Sequence, residues 1–191
     1  MPKTAARTVV RRHPERSVIE EFAAIMTAGE VAHVSFCVDG QPHVIPMTFQ
    51  YDASDPERVY LHGASESRIM RTLSRGADVA LCVTRIDGRV YSKTAINHSM
   101  NYRSAICYGR TVEVVDPAVK RAAFVGMTKR YFPGRTENVD YEGATLAQLE
   151  STTMVALEIE EGSAKVRRGG PNGPTDNDPN ALGTCGVVPT P

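Results

Sequence analysis

Apolar and polar residues alternate through most of this chain, which is the pattern of strands that bury one face. The alternation predicts strands over residues 31–38, 43–51, 58–61, 78–86, 90–96, 103–115 and 153–159. Asp39-Gly40 and Asp87-Gly88 each separate two of these segments. Because Asp-Gly accepts the positive φ of a tight hairpin turn, both pairs predict hairpins. Pro46 interrupts the second strand and predicts an edge position or a bulge there.

Helical signals mark four segments, which are residues 17–29, residues 67–74, residues 117–132 and a short segment after Thr145. Ser17-Val18-Ile19-Glu20 has the spacing of a capping box, and Asp116-Pro117 is a typical helix start. Strands that follow one another directly favour an antiparallel meander over alternating βαβ units. We therefore predict a mainly β fold with flanking helices, in which six or seven antiparallel strands close into a small β-barrel without long exposed edges.

The chain has 191 residues, which is the size of one domain. We expect residues 1–16 to form an N-terminal arm, residues 17–168 to form the barrel, and residues 169–191 to form a flexible loop and C-terminal tail. Residues 169–180 consist almost wholly of Gly, Pro, Asn, Asp and Thr, which is typical of loops. The arm is rich in Arg and Lys; an extended arm lying on the domain is one interpretation, and a mitochondrial presequence is the other.

Overall charge and cysteine content limit the classes of function. Lysine and arginine number 22, as do aspartate and glutamate, so no net field attracts nucleic acid or a membrane. No apolar run approaches the roughly 18 residues that a membrane span needs. The four cysteines have neither the spacing of a metal site nor the density of a disulfide framework, which favours a cytoplasmic protein with reduced thiols and no bound metal.

One group of polar residues, residues 98–104, lies where a strand begins; we call it the strand-entry cluster. Asn101 offers an amide that could contact a heterocycle edge, and Tyr102 offers a face for stacking. Arg103 and Ser104 add a cation and a hydroxyl. The alternative is that these side chains only pack between strands.

A second group, residues 62–68, lies between a strand and a helix; we call it the helix-start cluster. Free amides and the helix dipole favour an anion at such a position, and Ser67 and Arg68 could bind a phosphate. The alternative is that Ser67 only caps the helix and Arg68 faces water. His62 and His98 are the histidines of the two clusters, and each could relay a proton or simply form a structural hydrogen bond.

Six short elements are spread over almost the whole chain, at residues 14–16, 44–46, 60–63 with 67–68, 98–104, 132–135 and 163–165. Their order is more specific than any one of them. In this combination the chain resembles the flavin-nucleotide-binding branch of the pyridoxamine 5'-phosphate oxidase-like split-barrel superfamily, which includes the 5-nitroimidazole-resistance reductases. The resemblance implies that the predicted barrel is a split β-barrel. Relatives often end in a tryptophan-containing segment, whereas this chain reads Cys185-Gly186-Val187-Val188-Pro189 and contains no tryptophan.

The resemblance implies a homodimer with FMN in a cleft between the subunits; FAD and haem are the alternative cofactors. Ser67 and Arg68 would bind the phosphate, and Arg103 and Ser104 would reach the phosphate or the isoalloxazine edge. The remaining cofactor-binding residues that we expect are Ile45, Pro46, Met47, Thr48, His62, His98, Asn101 and Tyr102. Among these, His62 is the candidate catalytic residue, because the family places a histidine there near the flavin.

The function expected from this resemblance is an FMN-dependent oxidoreductase that reduces a small acceptor, such as a nitroaromatic compound. Two alternatives remain open at this point: a flavin-binding carrier or sensor without turnover, and a split barrel that holds haem through His62 or His98. The basic residues with which the oxidase binds its substrate are not recognisable, so vitamin B6 oxidation is not expected.

Overall fold

Eight antiparallel strands form one sheet in the computed structural model, which describes residues 2–190. The strands are β1 (Ala32–Val38), β2 (Gln41–Met47), β3 (Gln50–Asp52), β4 (Asp55–Gly63), β5 (Asp78–Tyr91), β6 (Ser99–Glu113), β7 (Thr153–Arg167) and β8 (Gly186–Pro189). The helices are α1 (Phe22–Ala28), α2 (Arg68–Leu73), α3 (Pro117–Tyr131) and α4 (Leu146–Ser151). The predicted fold class, a split β-barrel with flanking helices, is confirmed.

The strand order is β2-β1-β5-β6-β7-β4-β3, and β8 pairs with β5. Strands β2 and β3 therefore lie at the two ends of this order although only residues 48–49 separate them in the chain. These two residues cross the gap at which the barrel is open. Pro46 lies on β2, which is an edge strand as predicted.

The two Asp-Gly pairs have different structures. Asp39 and Gly40 have φ angles of 51° and 77° and form the predicted hairpin turn between β1 and β2. The second prediction is wrong, because β5 continues through Asp87 and Gly88 while pairing with β6. The register shifts between Ile86 and Gly88, so Asp87 is a bulged residue.

The first predicted helix begins later than the capping-box spacing indicates. A 3₁₀ turn over Ile19–Glu21 precedes α1, and no side chain caps that helix. Ser17 instead forms a β-bridge with Lys165 of β7. The other predicted caps are present: Asp116 accepts from the Ala118 amide at 2.8 Å, and Thr145 forms a capping box with Gln148.

The C-terminal segment is bound to the barrel, although it was expected to be a flexible loop and tail. Residues 169–180 contain no helix or strand, but the Asp176 carboxylate accepts from Ser92 Oγ at 2.8 Å and from the Lys93 and Gly173 amides at 2.7 and 2.6 Å. Strand β8, which sequence analysis missed, then pairs with residues 88–91 of β5.

The hydrophobic core lies inside the barrel, where α1 packs against the inner face of the sheet. Phe22 and Met26 of α1 are fully buried, as are Val34 and Leu81 of the sheet. Helix α3 covers the outer side of β3 and β4, where Phe124 packs on His62. Within residues 2–190, no helix combines the length and hydropathy required to cross a membrane.

Candidate functional site

The helix-start cluster lies at the end of β4, where a turn of small residues lets α2 fold back on the strand. A Cβ at Gly63 would lie 3.0 Å from Met70 Cγ, so glycine permits this close packing. Ser67 Oγ caps α2 by accepting from the Met70 amide at 3.3 Å. Arg68 is exposed and forms no ion pair within residues 2–190. Its guanidinium is therefore available to an anion.

His62, the first residue of this cluster, lines a mainly apolar cavity of about 430 Å³ between the sheet and α3. The cavity is lined by Thr48, His62, Phe124, Met127, Thr128, Tyr131 and Phe132. The His62 ring packs edge-on against Phe124, with centroids 4.9 Å apart. Its Nδ1 is buried and has no hydrogen-bond partner in the described part of the chain. Burial lowers the pKa of His62, so the imidazole is neutral at pH 7.

Tyr131 holds the segment that brings Thr48 to this cavity. Its hydroxyl accepts from the Phe49 amide at 3.1 Å and lies 2.9 Å from Glu30 O and 3.0 Å from Phe49 O, to either of which it can donate. The crossing between β2 and β3 is thereby fixed to α3. Sequence analysis missed Tyr131, because a tyrosine in the last turn of a helix gives no signal of its distant partners.

In the strand-entry cluster, Arg103 forms a side-on ion pair with Asp87. Arg103 Nε lies 2.9 Å from Asp87 Oδ2, and Nη2 lies 2.8 Å from Oδ1. The hydrogen bond with Asp87 raises the pKa of Arg103. A second ion pair, in which Arg168 Nη2 lies 2.6 Å from Glu21 Oε2, is close enough to influence the same group. Arg103 is therefore largely neutralised, whereas Arg68 is not. Sequence analysis assigned Asp87 to a turn and missed this role.

Asn101 and His98 also have partners within the fold. Asn101 Oδ1 accepts from Arg167 Nη1 at 2.5 Å, and its Nδ2 donates to Gly169 O at 3.0 Å. His98 Nδ1 lies 3.2 Å from Thr94 O and 3.3 Å from Ala95 O. Both side chains therefore bond within the fold, as expected if their role is structural and they do not bind a ligand.

Arg103 and Ser104 point to opposite faces of the sheet, because successive side chains of a strand alternate. Arg103 lies on the side of the buried Ala105. Ser104 lies on the outer face with Ile106, and its hydroxyl donates to Lys165 O at 3.4 Å. Tyr102 is half-buried and, two residues before Ser104, lies on the same face as Ser104 and opposite Arg103. The structure therefore does not bring Arg103 and Ser104 together on one face.

The two clusters lie at opposite ends of β7. Gly63 of β4 pairs with Thr153, whereas Arg103 of β6 pairs with Val166. The strand between these two partners has a contour of roughly 40 Å. One chain therefore does not bring Arg68 and Arg103 to the same phosphate.

The four residues expected to line the flavin ring extend from β2 into the crossing. Ile45 and Pro46 are exposed on the edge strand, and Met47 packs partly against the core. Thr48 reaches the cavity of His62. The structure thus brings together Thr48 and His62, with α2 packed at the end of the same strand.

Residues 19–166 match the sequence model described as pyridoxamine 5'-phosphate oxidase. The chain is 31% identical to the flavocytochrome Anf3 from Azotobacter vinelandii, with a TM-score of 0.83; the match covers 100% of this chain and 87% of that one. It is 29% identical to an FAD and haem binding protein from Mycobacterium smegmatis, with a TM-score of 0.80 and coverage of 92% and 84%.

A third solved structure, described as a 5-nitroimidazole antibiotic resistance protein from Bacteroides thetaiotaomicron, has a TM-score of 0.62 at 20% identity, with coverage of 78% of this chain and 86% of that one. That likeness concerns the fold. No curated protein matches the chain.

Proposed function

The chain belongs to the pyridoxamine 5'-phosphate oxidase family of split-barrel proteins, and we propose that it is a flavin-binding redox protein. The observation that carries the proposal is the pairing of a neutral, half-buried His62 at the end of β4 with an Arg68 at the start of α2 that forms no ion pair in the described part of the chain. A flavin has an aromatic ring with hydrogen-bonding edges and a phosphate, and these residues fit both parts. The likeness to a flavocytochrome over the whole chain supports the same ligand class.

When bound, a flavin supplies electron transfer in one- or two-electron steps, and the protein supplies binding and orientation. Arg68 would hold the phosphate through charge-assisted hydrogen bonds, and unsatisfied amides in the first turn of α2 would add donors. Thr48 and His62, which line the cavity beside α3, would contact the ring, and the apolar side chains of α3 would exclude water from it. Because burial keeps the His62 imidazole neutral, one ring nitrogen could donate a hydrogen bond to the flavin and the other could accept one.

The separation of the two clusters leads us to propose that the flavin lies between two copies of this chain. The helix-start cluster of one protomer and the strand-entry cluster of its partner then contact one flavin, which the strand register of a single protomer does not allow. A twofold dimer has two such sites. Arg103, already paired with Asp87, is better suited to a neutral ring edge than to a phosphate dianion.

The visible spectrum and the turnover of the purified protein test the redox function. We expect two broad flavin bands and, after reconstitution with FMN or FAD, oxidation of NADH or NADPH with a nitroaromatic acceptor. Flavin bands without turnover would identify a carrier or sensor instead of a reductase. A protein that binds neither flavin would contradict the proposal.

A second candidate function is haem binding through His62. The observation that favours it is the orphaned Nδ1 of an imidazole in an apolar cavity, together with haem in the name of the 29% identical structure. A neutral imidazole is the form that binds haem iron. A Soret band that is lost in His62→Ala and kept in His98→Ala would support this function, and the reverse would assign the ligand to His98. No Soret band after incubation with hemin would contradict haem binding.

A further inference from the structure

The N-terminal arm is attached to β7 at both of its ends. Near its start, the Lys3 carbonyl accepts from the Gly162 amide at 3.0 Å. Directly after its end, Ser17 forms a β-bridge with Lys165. Residues 5–16, which we call the arm loop, therefore leave the edge of one strand and return to the same strand.

The first part of the arm loop contacts the outer face of the sheet. The Arg7 guanidinium lies 4.8 Å from the centroid of the Tyr108 ring, which belongs to β6. The same guanidinium pairs with Glu160 at 3.0 Å and with Glu161 at 3.1 Å. Two carboxylates therefore neutralise Arg7, and its position on the sheet is fixed.

A turn fixes the direction of the next part of the arm loop. Thr8 is 4% exposed, and its hydroxyl accepts from the Ala5 amide at 2.7 Å and donates to Ala5 O at 3.0 Å. The amides of Thr8 and Val9 also donate to Ala5 O. Because a buried side chain anchors this turn, the residues that follow are held over the sheet.

A cavity of about 230 Å³ lies between the arm loop and the sheet; we call it the arm cavity. Arg11 and Arg12 of the loop line it, and so does Lys165 of β7. None of the three side chains forms an ion pair within residues 2–190. No carboxylate is among the described residues of the lining. Three positive charges from two segments of the chain therefore face one cavity.

The sheet beneath these cations adds hydroxyls and an apolar surface. Ser104 and Ser163 lie in the lining, as do Ile106 and Tyr108. A serine hydroxyl can donate to a phosphate oxygen, and the tyrosine ring offers a face for stacking. The cavity thus combines unpaired cations, hydroxyl donors and a flat apolar surface, and this combination suits a phosphorylated small molecule.

The number and placement of the cations favour two linked phosphates over one. A single phosphate carries a charge of about −1.5 to −2 near pH 7, which leaves part of the positive charge in the arm cavity unmatched. A diphosphate carries more negative charge, and its length allows it to contact the arm loop and β7 together.

The arm cavity is separate from both clusters of the proposed flavin site in one chain. Its lining residues on β6 alternate with the buried Ala105, whereas Arg103 lies on the same side of the sheet as Ala105. The helix-start cluster is farther away, because Gly63 pairs with Thr153 and Lys165 lies roughly 40 Å further along β7. A ligand in this cavity therefore has its own set of binding residues.

We propose that the arm cavity binds a diphosphate group, carried either by free pyrophosphate or by a nucleoside diphosphate. Arg11 and Arg12 bind its oxygens from the arm loop, and Lys165 binds them from β7. Ser163 adds a hydrogen bond. In a nucleoside diphosphate, the base packs on the apolar surface of β6. The bound ligand joins the arm loop to the sheet, and its binding does not require a flavin.

The test measures binding of pyrophosphate, ADP and orthophosphate to the purified protein by calorimetry at physiological ionic strength. It compares the natural chain with the triple variant Arg11→Gln, Arg12→Gln, Lys165→Gln. The control is Arg71→Gln, Arg75→Gln, Lys129→Gln, which removes the same charge from exposed residues that do not line the cavity.

We expect a diphosphate to bind at least about tenfold more tightly than orthophosphate. The triple variant should weaken diphosphate binding at least about tenfold, and the control should retain it. Similar affinities for pyrophosphate and ADP would show that the diphosphate group alone is recognised. Tighter binding of ADP would identify a nucleoside diphosphate as the ligand, and binding of pyrophosphate alone would identify the free anion.

Three outcomes would overturn the proposal. The first is that neither pyrophosphate nor ADP binds, and the second is that the triple variant binds them as the natural chain does. The third is that orthophosphate binds as tightly as both, which would exclude selectivity for a diphosphate.

The flavin bands of the same samples separate this site from the proposed flavin function. We expect the triple variant to keep the flavin content of the natural chain. Loss of flavin from the triple variant would overturn the claim of a separate site, because the three cations would then belong to the flavin site. Diphosphate binding by a natural chain that binds no flavin would overturn the flavin function and leave the arm-cavity site standing.

Discussion

Arg103 and Asp87 form a side-on ion pair, with Nη2 and Oδ1 2.8 Å apart, across the bulge that interrupts the pairing of β5 with β6. The bulge turns Asp87 toward Arg103, so a sequence pair that is typical of a hairpin turn here orients a cation. The Nε and Nη2 groups face Asp87, which leaves Nη1 as a donor for another group.

Replacement of Asp87 by Asn is expected to destabilise the fold by about 1 kcal/mol, because it removes a charge-assisted pair in which both side chains are roughly two-thirds buried. Urea unfolding measures the change. The control is Asp78→Asn, whose partner Arg110 lies 3.6 Å away with both side chains exposed, and we expect almost no effect there. Equal losses of unfolding free energy in the two variants would show that the Asp87–Arg103 pair stabilises the fold no more than an exposed ion pair does.

Stability is expected to depend on pH through His62. Burial lowers the pKa of this imidazole in the folded state, so the unfolded chain takes up the proton more readily. The stabilisation is complete above the ordinary histidine value of about 6.5 and is lost as the pH falls below it. Urea unfolding should therefore give a lower free energy of unfolding at pH 5.5 than at pH 7.5, and His62→Gln should reduce this difference. An equal difference in His62→Gln and in the natural chain would show that other groups cause the pH dependence.

Replacement of Asp176 by Ala should release the C-terminal segment without unfolding the barrel. The carboxylate accepts three hydrogen bonds, one from the Ser92 hydroxyl and two from the Lys93 and Gly173 amides. Limited proteolysis should cut the variant within residues 171–185 at least about tenfold faster, because local opening costs less when these bonds are lost. In Asp178→Ala the carbonyl that accepts from Lys93 Nζ is retained, so that control should resist cleavage. Equal cleavage of all three proteins would contradict the role of Asp176.

The fold could be predicted from the sequence because the signals for its strands and turns are local. The alternation of buried and exposed residues in β1 and the turn at Asp39-Gly40 are each encoded by residues adjacent in the chain. Both are present in the structure. Strand β8 was missed because four residues after a Gly- and Pro-rich loop do not show a period. Its pairing with β5 is a long-range contact that no local pattern encodes.

The candidate site was predicted less completely for the same reason. His62 could be identified from the turn that follows it, but Phe124, which packs on its ring, lies on a helix far along the chain. The partner of Arg103 was hidden because Asp87 has the local signature of a turn. The separation of the two clusters follows from strand register, which composition and spacing do not reveal.

In the proposed dimer, one flavin contacts the helix-start cluster of one protomer and the strand-entry cluster of its partner. Flavin content per chain tests it in Arg68→Gln, in Arg103→Gln and in dimers assembled from both variants. Each variant alone should lose flavin, and random mixing should restore about a quarter of the sites, since half of the dimers then carry one site with both arginines. Retention of flavin by either variant alone, or no recovery in verified mixed dimers, would show that the two clusters do not share one flavin.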